Sequence, residues 1–346
     1  MMPEDPIVSR VVEKLKNDSC VDLDRKHTLK SEVLAVQHRR RSKIFKLKLI
    51  FGTEEKDICV KMVTPSSPTT RELFEERVKK EYRTLIMAYE NFRPFPEYSV
   101  VKPIACFPEL LVVISEYFCG ETLQSVLRKK ARLFPSSTNM ELLEKYCYSC
   151  GEWLKLFHGF TQKEPKEKLR VDEVIEYIDM RLMRLVSNSQ IHFDEKLQRQ
   201  VIDCVRKNLE AVKARDLLMT GQHSDFFPGN ILVNAGKVVV SDFTMFSYGS
   251  IYQDFTYFYQ HLDAMLTNPL YRRETVSRLQ RSFLSGYGRD IDRWGPMFRI
   301  FQILQKVNSL CSSVAMRPTH LHMKVSRWVE LRTDMACLLD LIKQAN

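Results

Sequence analysis

The stretch His223-Ser224-Asp225-Phe226-Phe227-Pro228-Gly229-Asn230, followed by Ile231-Leu232-Val233 and then Val238-Val239-Val240-Ser241-Asp242-Phe243, constrains this chain more than any other feature. Two apolar, β-branched runs flank Asn234-Ala235-Gly236-Lys237, a pattern that predicts a β-hairpin. Pro228-Gly229 predicts a tight turn just before it. Such a hairpin returns Asp242 to the neighbourhood of Asn230, where an amide and a carboxylate offer hard oxygen ligands of the kind Mg²⁺ takes. Asp225, upstream of the turn, adds a carboxylate able to accept or orient a hydroxyl proton. These are the parts that phosphoryl transfer requires, because that reaction is catalysed mainly by positioning and charge neutralisation.

The order H-x-D-x-x-x-x-N, hairpin, apolar-Asp-Phe resembles the catalytic and metal-binding loops of the aminoglycoside phosphotransferase (choline and sugar kinase-like) branch of the protein-kinase-like fold. Downstream, Tyr248-Gly249-Ser250-Ile251-Tyr252-Gln253-Asp254-Phe255 is similar to the family's G-x-x-x-x-D-hydrophobic segment, in which the Asp supports the catalytic loop. Two positions depart from typical eukaryotic protein kinases, which have Arg where this chain has Ser224 and Gly where it has Thr244. Many members of the resembled family carry Gly at the Ser224 position. The resemblance implies an α+β, bilobal protein-kinase-like fold with a small antiparallel-sheet N-lobe and a larger helical C-lobe. It also implies transfer of the γ-phosphoryl group of ATP or GTP to a hydroxyl of a small molecule, sugar-like or an amino alcohol. Asp225 is then the catalytic residue, and Asn230 and Asp242 hold Mg²⁺. A protein Ser/Thr kinase and a catalytically weak nucleotide-binding scaffold stay open as alternatives.

On this reading residues 1–30 are an N-terminal extension, 31–118 the nucleotide-binding N-lobe, and 119–346 the catalytic and acceptor-binding C-lobe. The extension holds one amphipathic piece around Val8, Val11, Val12 and Leu15. Three strand-like runs follow, 33–36, 44–51 and 58–63, with Leu47 and Leu49 alternating with Lys46 and Lys48. The turn Gln37 to Lys43 should cover the nucleotide phosphates in a kinase-like fold, yet it has no glycine. Either Arg40, Arg41 and Ser42 take over the phosphate contacts with their side chains, or the turn does not grip the nucleotide tightly.

Lys61, in an otherwise apolar strand, needs a carboxylate partner, because a buried ammonium alone is costly. It resembles the family's lysine that contacts the α and β phosphates. Residues 71 to 90 have helical apolar spacing, and Glu81 best matches the family's helix glutamate, with Glu76 as its competitor. Glu116 to Phe118 resemble the hinge, which presents backbone groups to a nucleotide base.

The remainder reads as mainly helical. Thr138-Asn139-Met140-Glu141 is a candidate capping box ahead of an apolar stripe. Cys147 and Cys150 fall on that helix at core spacing, so the C-x-x-C reads as packing and not as a zinc or redox motif. Two helices are expected over 165–190 and 194–219, and closing helices over 254–266, 271–287, 294–314 and 321–342. Asp172, Glu173, Glu176 and Asp179 read as a solvated face or as a holder of a cationic acceptor, and Tyr252, Tyr257, Phe258 and Tyr259 as core or as the wall of an acceptor site.

Composition sets outer limits. A chain of 346 residues that is 44% hydrophobic can bury two cores, and it contains no apolar run near the ~20 residues a membrane helix needs. Nine cysteines without regular spacing suit reduced thiols, and Met1 to Lys30 has no signal-peptide core, so a cytoplasmic location is expected. The net charge of +10 allows an anionic substrate or surface, besides the small-molecule alcohol acceptor; nucleic acid is the less favoured partner.

Overall fold

A computed structural model describes residues 5–17, 29–39, 42–65, 71–163, 168–288, 291, 293, 295–317 and 319–343. Arg40 and Arg41 lie outside the described residues. The chain begins with α1 (Pro6–Asn17), three long strands β1 (Leu29–His38), β2 (Ser42–Phe51) and β3 (Glu54–Val63), and α2 (Arg71–Phe92). Short strands β4 (Tyr98–Val100), β5 (Pro103–Phe107), β6 (Val112–Glu116) and β7 (Glu121–Thr122) follow. Helices α3 (Leu123–Lys130), α4 (Ser137–Phe160), α5 (Val171–Val186) and α6 (Glu195–Glu210) lead to β8 (Met219–Gln222). Next come the hairpin β9 (Ile231–Asn234) and β10 (Lys237–Val240), then β11 (Ser247–Ser250). The chain closes with α7 (Tyr252–Asp263), α8 (Arg273–Tyr287), α9 (Pro296–Ala315) and α10 (Leu321–Lys343).

Two compact units result, one of Met1–Thr122 with Asn230–Phe246 and one of Leu123–Gly229 with Ser247–Asn346. Sheet pairing explains why a segment so late in the chain belongs to the first unit. Strand β10 runs parallel to β4, with Val238 opposite Tyr98, and antiparallel to β9, whose other neighbour is β7. The hairpin is thus the centre of the sheet β4-β10-β9-β7.

The larger sheet of the first unit has the order β1-β2-β3-β6-β5 and is antiparallel throughout. Its strands alternate with period two, so β2 buries Phe45, Leu47, Leu49 and Phe51 on one face. That face packs with Ile58, Val60, Val112 and Ile114 and is covered by Val8, Val11, Val12 and Leu15 of α1. Each of these side chains contributes about 1.5–3 kcal/mol by leaving water, which makes α1 part of this core. On the opposite face the register sets Ile44, Lys61 and Val113 side by side.

Among its described residues the second unit is helical apart from the pair β8 and β11 and the single bridge Lys168↔Leu218. Its core is aromatic: Phe226 stacks on Trp153 at 5.4 Å and meets Phe258 at 5.5 Å, and Phe258 meets Phe283 at 4.2 Å. Three local expectations need correction. The cap of α4 is Ser136, whose Oγ accepts from the Asn139 N–H at 3.2 Å, two residues before the expected box, because Thr138 and Asn139 are already inside the helix. The helices expected over 165–190 and 194–219 are shorter, and the end of the second span is instead a 3₁₀ turn followed by strand β8. Strand β8 pairs with β11 from Gln222↔Ser247 to Met219↔Ser250, a non-local pairing that no local pattern announces.

Cys147 and Cys150 are buried in α4, and burial pushes both thiols up, away from the thiolate form that metal binding and redox chemistry need. The described cysteines are all free thiols. Among the described residues no helix is long and apolar enough to cross a membrane.

Candidate active site

In the first unit the hairpin, strand β3 and helix α2 bring four side chains together. Lys61 Nζ donates to Glu81 Oε1 at 2.8 Å, to Asp242 Oδ1 at 2.6 Å and to Thr244 Oγ1 at 2.6 Å. Thr244 Oγ1 lies 2.8 Å from Glu81 Oε2 and 2.8 Å from Asp242 Oδ1, which closes the ring of contacts. Glu81 is 1% exposed and the Lys61 side chain 14%. Burial by itself pulls the Lys61 ammonium's pKa down, but the attraction of Glu81 and Asp242, with their hydrogen bonds, outweighs it and the net displacement is upward. Lys61 is therefore held charged. Glu76 has no part in this ring, because it is exposed and pairs with Lys79 one turn away.

The hairpin places Asp242 by main-chain means. Ile231 and Val240 form its last pair, and beyond them the Ser241 N–H and Oγ both donate to the Asn230 carbonyl, at 2.9 and 3.1 Å. Asn230 and Asp242 consequently leave the hairpin from the same end. Asp242 then adopts φ 69, ψ 66, in the left-handed region where Asp and Asn are the best tolerated residues after glycine. At the hairpin's other end Ala235 has φ 46 and Gly236 φ 85, the two positive values of a type I′ turn. Asn230 is 2% exposed. A carboxylate and a carboxamide are oxygen donors suited to Mg²⁺, which takes one or two protein ligands and fills the rest of its shell with water and phosphate oxygens. Among the described residues no group of three or more His, Cys, Asp or Glu side chains could hold a metal ion.

Of the other residues expected here, Ser42 opens β2 and its carbonyl accepts the Arg39 N–H at 2.8 Å. The N–H of Glu116 is taken by the Lys102 carbonyl at 2.8 Å and that of Tyr117 by the Asp57 carbonyl at 3.1 Å, and the Phe118 carbonyl accepts from Gly120 at 3.0 Å. The Glu116 carboxylate lies 3.3 Å from Lys102. Two residues not expected also contribute. Arg39 Nη1 is 4.0 Å from Asp242 Oδ2, and Thr244 completes the ring around Lys61. Thr244 did carry a signal, as the position that departs from the glycine of protein kinases; Arg39 was one of several cations in its turn.

In the second unit Asp225 sits on a loop fixed from both sides. Asp254, fully buried, accepts the N–H groups of His223 and Ser224, each at 2.7 Å. Its Oδ2 is also 3.5 Å from His158 Nε2, and His158 Nδ1 is 3.0 Å from the Tyr287 hydroxyl. On the other side Phe226 is locked in the aromatic core, so the residue next to it has little freedom. Ser224 has φ 62, a conformation glycine adopts without strain, which accounts for the glycine common at this position in the resembled family. Gly229 shows no positive φ; it is needed because a Cβ there would run into the Phe227 ring.

Two rings, those of Tyr257 and His261, interact with Asp225. Burial, then the charge of Asp225 and a hydrogen bond to it, push the Tyr257 phenol up. His261 has its ring 4.5 Å from that of Tyr257 and 4.8 Å from that of Phe227. Burial pulls the His261 pKa down, against the raising effect of the Tyr257 carbonyl and of Asp225, and Lys306 adds to the lowering. Tyr257 therefore belongs with the loop that carries Asp225 and Phe258 with the core.

The sequence model of the family described as "Phosphotransferase enzyme family" matches residues 108–297, a span that takes in Asp225, Asn230, Asp242 and Asp254. No curated protein matches the chain. Among solved structures, a glucosamine kinase matches with TM-score 0.60 and 17% identity, over 100% of this chain and 86% of that one. A Plasmodium vivax ethanolamine kinase matches with TM-score 0.58 and 12% identity, over 100% and 97%. A ternary complex of streptomycin, ATP and APH(2″)-IIa matches with TM-score 0.53 and 15% identity, over 96% and 97%. At these identities the likeness establishes a shared α+β, kinase-like fold.

Proposed function

The chain belongs to the phosphotransferase enzyme family, and from that premise we propose that it transfers the γ-phosphoryl group of ATP or GTP to a hydroxyl of a sugar-like or amino-alcohol metabolite. The observation that carries this reading is the 2.6 Å contact between Lys61 and Asp242, residues 181 positions apart, with Glu81 buried behind the lysine. A chain has no structural need for an ammonium at a sheet's inner face, and an ion pair there costs several kcal/mol of desolvation per ion. Such a group is retained where a charged ligand is to be held. The ethanolamine and glucosamine kinases among the similar structures support the acceptor class, and the complex containing ATP supports the donor.

Each residue then has a role. Lys61, kept charged and aimed by Glu81 and Thr244, neutralises the α and β phosphates. Asp225 accepts or orients the acceptor's hydroxyl proton as that oxygen bonds to the γ phosphorus and the bond to the β-phosphate oxygen breaks. Asn230 and Asp242 would hold Mg²⁺, which supplies charge neutralisation at the phosphates. Asp254 fixes the backbone that carries Asp225. Because the N–H groups of Glu116 and Tyr117 are engaged within the unit, the base is read by other main-chain groups of that hinge segment.

The test is acceptor-stimulated ADP release across a panel of sugars and amino alcohols, with wild type and Asp225→Asn side by side. Wild type should respond to at least one alcohol, and Asp225→Asn should lose about 10²- to 10⁴-fold in kcat while still binding nucleotide. Equal turnover by both proteins refutes the assignment of Asp225, and nucleotide binding without any turnover favours a scaffold.

A further inference from the structure

Two loops of the second unit, one between α3 and α4 and one ahead of α8, meet in a tip whose make-up the fold does not explain. The Leu133 N–H donates to the Leu270 carbonyl at 2.7 Å and ties the loops together. Asn268 shapes the second loop, taking the Leu270 N–H on Oδ1 at 3.0 Å and the Tyr271 N–H on its carbonyl at 3.1 Å. Out of this fixed backbone stand Phe134, Leu133 and Leu270, 78%, 50% and 37% exposed. Among the described residues no large apolar side chain is more exposed than Phe134. Single exposed apolar residues are ordinary; three on one tip are not.

Leu133 also has φ 52, in the left-handed region that a bulky side chain rarely occupies. Glycine there would relieve the strain and remove an exposed apolar group, so stability alone does not call for leucine; such strain persists where the side chain has a use. Charge points to that use. Residues 128–135 contain Arg128, Lys129, Lys130 and Arg132 and no acidic residue, and Arg272 and Arg273 follow Leu270, with Glu274 next. All of these cations are exposed except Lys130, which turns aside to Asn139 Oδ1 at 3.0 Å. The Arg272 guanidinium lies 4.8 Å from the centre of the Phe134 ring, so a cation borders the apolar tip directly.

We propose that this tip docks the protein on an anionic lipid surface, with Phe134, Leu133 and Leu270 entering the boundary between headgroups and acyl chains while the neighbouring Arg and Lys side chains meet the lipid phosphates. Charge complementarity selects this occupant. A neutral apolar partner would leave the cations unanswered, and a soluble polyanion would leave Phe134 in water. The net charge of +10 adds attraction at longer range. The proposal does not depend on phosphotransfer, so either can fail alone.

The experiment is co-sedimentation of the full chain with vesicles of phosphatidylcholine, alone or mixed with phosphatidylglycerol, for wild type, Phe134→Ala, Leu133→Gly, Arg132→Gln and, as a control on the exposed part of α6, Lys196→Gln. Wild type should bind the anionic vesicles and not the neutral ones, and added salt should weaken the binding. Phe134→Ala should lose about tenfold in partition and Arg132→Gln about fivefold, while Lys196→Gln stays within about twofold of wild type. Leu133→Gly should bind more weakly yet keep its melting temperature, because glycine suits φ 52; that separates lost docking from lost folding. No binding by wild type, equal binding to neutral vesicles, or undiminished binding by Phe134→Ala or Arg132→Gln overturns the proposal. Self-association in vesicle-free buffer that Phe134→Ala abolishes, followed by sedimentation velocity, overturns it in favour of a second copy of the chain.

Discussion

The ring around Lys61 makes a quantitative statement about stability. Its ammonium lies 2.8 Å from a carboxylate that is 1% exposed. At an effective dielectric of about 20, unit charges at that distance attract by about 6 kcal/mol, and desolvation of the two ions offsets most of it. Removing both ions should therefore cost less than the sum of removing each alone. Lys61→Met leaves the Glu81 charge facing the Thr244 hydroxyl and should cost about 3 kcal/mol. Glu81→Gln should cost about 2 kcal/mol, because Lys61 keeps Asp242 at 2.6 Å. The double variant should cost about 3 kcal/mol instead of the sum, a coupling of about 2 kcal/mol. Tryptophan fluorescence is the wrong probe, since the described tryptophans, Trp153 and Trp328, belong to the other unit. Amide hydrogen exchange of β3 and α2, measured for all four proteins, reads the unit concerned. Single effects that add to within about 0.5 kcal/mol would refute a shared buried charge pair.

Four other outcomes follow from the same geometry. Asp254→Asn replaces one acceptor oxygen by a donor facing a main-chain N–H, and should cost the second unit about 3 kcal/mol, seen as a melting point lower by about 6–12 °C. Ala235→Asn or Ala235→Gly should stabilise the first unit by about 1 kcal/mol in exchange experiments on β9 and β10, because φ 46 strains alanine. Lys61 has a folded pKa above its ordinary 10.5, so its contribution is fully present below that pH and is lost as pH rises through the folded value; exchange protection of β3 should fall there in wild type and stay flatter in Lys61→Met. Tyr257, pushed above its ordinary 10.0, likewise stabilises the second unit below that pH and loses the contribution on alkaline titration, a loss that Tyr257→Phe should abolish in melting curves taken between pH 9 and 11.

Much of this was legible in the residues because it is local. Alternation along β2, the turn residues of the hairpin and the spacing from Asp225 to Asn230 and Asp242 each depend on neighbours a few positions away, and together they identify the family and its fold. The tertiary structure decided what depends on distant partners. Helix periodicity cannot say whether Glu76 or Glu81 reaches Lys61, since both lie on α2 and only packing turns one of them inward. The same holds for Thr244, which matters through its distance to Lys61, and for Arg39, whose nearness to Asp242 no local pattern announces. Sequence carries the intrinsic preference of each residue and its near neighbours. A charge's role is a property of the field around it, and that field exists only once strands far apart along the chain lie side by side.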